Sequence, residues 1–120
     1  GRWDAGALEA LDHLMRDWHV DTLAQIDRRL YDVLSEIDLR IDIRGPIRIL
    51  SGYRTETTNR SLPGSVANSF HTQARAADLW IYGVSTERLA HTARGLQAGG
   101  VGSYPSGRFI HVDTGPVRSW

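Results

Sequence analysis

The stretch "NSFHTQARAADLWIYG" sets His71 and Asp78 seven positions apart among largely apolar neighbours, and "FIHVDTG" pairs His111 with Asp113 near the end of the chain. A carboxylate among apolar residues is costly unless it is hydrogen-bonded, paired with a cation or bound to a metal. On a straight helix His71 and Asp78 would lie two turns, roughly 10 Å, apart. Zinc–ligand bonds are only about 2 Å long, so a helical pair could not share an ion. A loop at His71 followed by a strand through Asp78 brings the two to one point. On a second strand, His111 and Asp113 face the same side because side chains alternate with period two. His71, Asp78 and His111 then form a His-Asp-His set, and three protein ligands with one open position is how catalytic zinc is usually held. One zinc ion per chain is the expectation, with Asp113 beside it.

These residues need elements to position them. In "DAGALEALDHLMRDWH", Leu8, Leu11, Met15 and Trp18 recur at helical steps and predict one apolar face. A second helix carries Leu30, Val33, Leu34 and Ile37. Its start is open between a capping box of Thr22 with Gln25 and an N-cap at Asp27. Gly45-Pro46 breaks the pattern, and "PIRILSGY" reads as a strand. A brief helix is expected near Thr55, a loop over "SLPGSVA", and a strand over "AADLWIY". Ser85 is an N-cap for "TERLAHTARGLQAGG", with Gly99 as its stop. The end reads as a hairpin turning at Tyr104-Pro105-Ser106-Gly107, a type I pattern. Helices first and hairpin-linked strands later predict an α+β fold, N-terminal helices packed on a small antiparallel sheet. His13, His19 and His91 fall on predicted helices and read as surface residues; Trp80 and Trp120 read as core.

Composition bounds the rest. At 120 residues the chain reads as one domain, residues 1–120, with 41% hydrophobic and 23% charged residues. Fourteen basic residues balance fourteen acidic ones, which argues against a nucleic-acid partner. All the basic residues are arginine. The absence of cysteine excludes disulfides, thiolate catalysis and Cys-ligated zinc. No apolar run reaches membrane-spanning length, and no charged-then-apolar segment opens the sequence.

The motifs "SGYRTxxxN", "NSxHxxxxAxDLxI" and "GGVGxYPxxxFxHVDTGPVRxW" resemble the murein endopeptidase K (YcbK-like) family. That family sits in the zinc peptidase superfamily with D-Ala-D-Ala carboxypeptidases, LAS endopeptidases and the hedgehog signalling domain. The resemblance covers nearly the whole chain and implies a hedgehog/DD-peptidase-like fold. It also implies His71, Asp78 and His111 as metal ligands, cleavage of peptide crosslinks in bacterial peptidoglycan, and export to the periplasm or beyond. Two departures stand out: Ala74 replaces a usual glycine in the spacer, and the loop "NRSLPGSVANS" is shorter than usual. An alanine held at positive φ there would cost about 1 kcal/mol.

The general base is open. Other branches place a Glu or Asp three residues before the last ligand, or a His two before it; here those positions are Arg108 and Phe109. Asp113 is the available carboxylate, either as base or as acceptor for a ligand imidazole. Arg54 is expected to bind a substrate carboxylate, or else to pair with Glu56 or Asp78. The reading is a monomeric zinc metallopeptidase acting on peptidoglycan crosslinks, with no nucleic-acid partner. A zinc-stabilised, non-catalytic module for cell-wall peptides or a protein partner is the alternative.

Overall fold

The computed structural model describes residues 4–42, 45–63, 65–66 and 69–120. Among these, four helices and five strands run α1 (Ala5–Leu14), α2 (Arg28–Ile41), β1 (Ile47–Ser51), α3 (Glu56–Ser61), β2 (Ala76–Ile81), α4 (Thr86–Gly95), β3 (Gly100–Tyr104), β4 (Phe109–Asp113) and β5 (Arg118–Ser119). The fold is α+β, with strand order β1-β2-β4-β3-β5. All neighbours are antiparallel except β3 and β5, so the sheet is mixed rather than antiparallel. The chain leaves β4, passes over the end of β3 and pairs on its far side. A strand of two residues carries no alternation by which a sequence could reveal it.

Period-two alternation divides the sheet into two faces. Ala77, Leu79, Ile81, Ile110, Val112 and Val101 are all buried and join Leu30, Ile37, Leu89 and Ala93 in one core. The helix packed directly on β3 and β4 is α4, and α2 packs on α4, so α2 reaches the sheet centre largely through the later helix. The opposite face carries Asp78 on β2, Phe109, His111 and Asp113 on β4, and Gly100, Gly102 and Tyr104 on β3. Register sets Ser51, Asp78, His111 and Gly102 in one row across four strands.

Helix ends follow short-range chemistry. Asp4 caps α1 by accepting from the Ala7 N–H at 2.7 Å, and Asp27 caps α2 through the Arg29 N–H, which resolves the start left open between Thr22 and Asp27. Thr55 and Ser85 cap α3 and α4. The hairpin turn is as expected, with the Gly107 N–H donating to the Tyr104 carbonyl at 3.1 Å. Helix α4 stops at Gly95, and the left-handed residue after it is Gln97 (φ 52°) rather than Gly99.

The first helix also ends early. After Leu14 the chain turns, Asp17 bridges to Thr22, and Trp18 is left 63% exposed beside His19 instead of extending the apolar face. What stops the helix is Asp17, 1% exposed. Its carboxylate accepts from the Thr55 N–H at 2.8 Å, the Thr55 hydroxyl at 3.1 Å and the His19 N–H at 3.0 Å. One buried side chain thus ties the turn after α1 to the start of α3. Burial alone would raise the Asp17 pKa, but the bonds from Thr55, Thr58 and His19 outweigh it and hold it below its ordinary 3.8.

Asp17→Ala should therefore cost about 2–3 kcal/mol, since it leaves buried donors unsatisfied. Urea denaturation checks this. A carboxylate with a lowered folded pKa stabilises above its unfolded value and ceases to do so as pH falls through the folded one. The gap between wild type and variant should therefore narrow in acid.

Candidate metal centre

His71 lies in a tight turn before β2, as the spacing argument requires. The Gln73 and Arg75 N–H groups both donate to the Phe70 carbonyl, at 3.1 and 3.0 Å. Ala74 sits at φ 57°, the left-handed conformation for which glycine is the usual residue. The turn is pinned to the end of β1 twice: the Arg54 N–H donates to the His71 carbonyl at 3.0 Å, and His71 Nδ1 lies 2.8 Å from the Gly52 carbonyl. A Cβ at Gly52 would come within 2.6 Å of the Met15 carbonyl, so only glycine allows that approach.

The protonation pattern follows from these partners. A carbonyl can only accept, so His71 Nδ1 carries the hydrogen and neutral His71 has a bare Nε2. That atom lies 3.2 Å from Asp78 Oδ1. His111 Nε2 lies 2.7 Å from Asp113 Oδ2, which already accepts from Arg118 at 2.9 Å, so Nε2 is the hydrogen-bearing nitrogen there too. Its Nδ1 then faces the same Asp78 oxygen at 3.0 Å. With both imidazoles neutral, three acceptors converge with no hydrogen between them. Such a cluster requires a cation, either extra protons or a metal.

The geometry suits a metal. Ligands about 2.0–2.1 Å from a tetrahedral zinc lie about 3.3 Å from one another. The observed separations to Asp78 Oδ1 are 3.0 and 3.2 Å, and all three ligand atoms lie within 4.8 Å of one another. Each histidine has its far nitrogen held by an acceptor, the arrangement that orients ligating imidazoles. His71, Asp78 and His111 are all buried.

Charge is organised around this point. Arg54 Nη2 donates to Asp78 Oδ2 at 3.2 Å, while its Nε and Nη1 bond Ser51 at 2.9 Å and Asn59 at 3.3 Å. Of the pairings open for Arg54, the one observed is with Asp78, which leaves Oδ1 for the histidines. Burial would raise the Asp78 pKa, yet His111 and His71 hold its carboxyl far below the ordinary carboxylate range. Burial works against a charged His111, but Asp113 and Asp78 outweigh it and raise its pKa.

Asp113 is 1% exposed. Besides His111, its oxygens accept from both Arg118 nitrogens at 3.0 and 2.9 Å and from the Gly100 and Gly115 N–H groups at 3.1 and 2.9 Å. The cleft at the cluster has a volume of about 480 Å³ and is lined by Arg54, His71, Asp78, His111 and Arg118, by the aromatics Phe70, Tyr104, Phe109 and Trp120, and by Leu62, Pro63 and Val66 from the short loop. Asp113 does not line it, and Asp78 is the one acid that does among the described residues.

Some expectations shift. Trp120 is not core: it is 47% exposed, with its ring 5.3 Å from that of His111 and its Nε1–H on the Tyr104 hydroxyl at 2.7 Å. His19 lies in a turn rather than on a helix, with His13 and His91 exposed on α1 and α4. Asn68 lies outside the described residues. Arg118 was missed; the available signal was an arginine closely following a buried Asp113 across Gly115-Pro116.

The profile of the family described as peptidoglycan L,D-endopeptidase MepK matches residues 1–120. The peptidoglycan L,D-endopeptidase MepK of Escherichia coli (strain K12) is 37% identical over 117 residues, covering 94% of this chain and 64% of that protein. The probable peptidoglycan L,D-endopeptidase MepK of Haemophilus influenzae is 39% identical over 118 residues, covering 94% and 63%. The chain thus spans a little under two thirds of the length of these relatives.

In metal-free protein His111 should titrate above the ordinary 6.5, because its cation is held by two carboxylates. A histidine NMR titration in chelator reads this directly. A raised folded pKa stabilises below the unfolded value and ceases to do so as pH rises through the folded one. The chelated protein should accordingly melt lower on the alkaline side of the His111 midpoint.

Proposed function

The chain belongs to the peptidoglycan L,D-endopeptidase MepK family, and we propose that residues 1–120 form a zinc-dependent murein endopeptidase domain with a hedgehog/DD-peptidase-like fold. The observation that carries the reading is the convergence of His71 Nε2, His111 Nδ1 and Asp78 Oδ1, three acceptors without a hydrogen among them, at the floor of an open cleft. The substrate is a peptide crosslink of the cell wall, reached in the periplasm or outside the cell. No helix among the described residues is long and apolar enough to cross a membrane.

Zinc, when bound, lowers the pKa of a water at its open position and polarises the scissile carbonyl. The side chains prepare that position. His71 and His111 present bare nitrogens because Gly52 and Asp113 take their N–H groups. Arg54 holds Asp78 Oδ2, so that Oδ1 is the ligating oxygen. Its remaining N–H groups are available at the cleft floor for a substrate carboxylate or carbonyl. Asp113 orients His111 rather than serving as base, since both its oxygens are filled and it is shut off from the cleft.

The second reading, a zinc-stabilised module that binds cell-wall peptides without cleaving them, draws on one observation. Asp78 is the single acid lining the cleft among the described residues, and Arg108 and Phe109 occupy the positions where other branches carry a base.

Defined crosslinked muropeptides, incubated with the protein in zinc and in chelator, separate the readings. Cleavage that stops in chelator is expected; binding without cleavage across a panel of crosslink types selects the module. Zinc at about 100 times its Kd should add about 2.7 kcal/mol to stability, an effect that fades at acid pH as protons compete for the histidines. Full zinc occupancy in His71→Ala would remove the ligand assignment.

Asp113→Asn should lower zinc affinity by about 10–100-fold, with turnover restored when zinc is raised to saturation. Turnover lost at full zinc occupancy would instead return Asp113 to the role of base.

A further inference from the structure

We infer that Arg118 is a positioning residue: it clamps Asp113 against β3 and thereby fixes the His111 ring with Nδ1 toward the ion site, an inference that rests on the metal-centre reading above. Arg118 binds both Asp113 oxygens, at 3.0 and 2.9 Å, in the planar two-bond geometry that only a guanidinium supplies. A third bond, from Nη1 to the Pro116 carbonyl at 2.9 Å, fixes the fork to its own turn. With one carboxylate face held by the fork and two backbone N–H groups on Oδ1, Asp113 has a single orientation in which Oδ2 meets His111 Nε2 at 2.7 Å.

The sheet makes room for this clamp. A Cβ at Gly100 would come within 2.3 Å of the Arg118 guanidinium and 2.7 Å of Asp113 Oδ2. A Cβ at Gly102 would meet the Trp120 indole at 2.6 Å, and one at Gly115 would meet the Phe70 ring at 2.5 Å. The guanidinium carbon lies 5.1 Å from the Phe70 ring centre and 5.0 Å from that of Trp120. Both rings belong to the cleft wall, and Phe70 immediately precedes His71. Arg118 therefore joins the wall to His111, through stacking on one side and through Asp113 on the other.

Arg75 supplies the control. It also lies over Phe70, at 4.9 Å, and bonds the Thr114 hydroxyl at 3.1 Å and carbonyl at 2.7 Å, but it has no bond to Asp113. Arg118→Met, Arg118→Lys and Arg75→Met are compared by cobalt(II) titration, following the visible spectrum, and by the His111 ring N–H resonance in metal-free protein. Arg118→Met should bind cobalt about 10–100-fold more weakly and shift or broaden the His111 resonance while leaving that of His71 in place. Arg118→Lys, which keeps the charge without the fork, should recover only part of the affinity and secures the comparison if the methionine variant folds poorly. Arg75→Met should lower the melting temperature yet bind cobalt as wild type does. Wild-type affinity and an unchanged His111 resonance in Arg118→Met would overturn the inference, and so would an equal loss of affinity in Arg75→Met. A wild type that takes up no cobalt would overturn the metal-centre reading instead, while the His111 resonance would still decide the role of Arg118.

Discussion

One oxygen governs this structure: Asp78 Oδ1, buried in the middle of the sheet and facing two imidazole nitrogens at 3.0 and 3.2 Å. Desolvating a carboxylate costs several kcal/mol unless charge is supplied nearby. Here the charge is divided. Arg54 bonds one oxygen, and the other faces the two imidazoles. Each surrounding hydrogen bond follows from that division. Gly52 and Asp113 must take the far N–H of each imidazole, or the near nitrogens would not be free.

The sheet is an economical way to meet this constraint. Cross-strand register puts Ser51, Asp78 and His111 in one row, so the spacing of Asp78 and His111 follows from the backbone ladder rather than from flexible side chains. Alternation sends the intervening residues to the other face, where Leu79, Ile110 and Val112 are 0–1% exposed in the core. A slip of one residue in either strand would exchange the two faces, moving Asp78 or His111 into the core and the apolar residues of that strand into the cleft. Core and site therefore specify the same register.

Much of this was legible beforehand. The spacing of His71 and Asp78 excluded a helix, and period two placed His111 and Asp113 together; both are properties of local backbone geometry. The caps at Thr55 and Ser85 and the turn at Tyr104–Gly107 are likewise short-range, while the start of α2 stayed open between Thr22 and Asp27. What escaped depends on partners remote in sequence. Helix α1 was drawn too long because Met15 and Trp18 keep the helical spacing, while Asp17 breaks it through Thr55, 38 positions later. Trp120 was placed in the core on hydrophobicity, but Gly102 leaves a shelf for its ring at the cleft. The same kind of remote contact hid Arg118, whose meaning lies in Asp113 and two aromatic rings. Asp113 itself had two readings, and its four partners beyond His111 bear on that choice in a way that strand alternation could not.

The strand β5 has a further consequence. It is two residues long, lies at the edge of the sheet and joins β3 through bonds such as those between Trp120 and Val101 and between Ser103 and Trp120. Elements with so few backbone bonds open at free energies well below that of global unfolding. The wall of the cleft that carries Trp120 therefore hangs on a short edge strand, while Asp78 and His111 sit on β2 and β4, each paired on both sides, and His71 in the turn before β2. The same strand carries Arg118, so an opening of this edge would release the hold on Asp113 together with the wall, and the two would loosen as one.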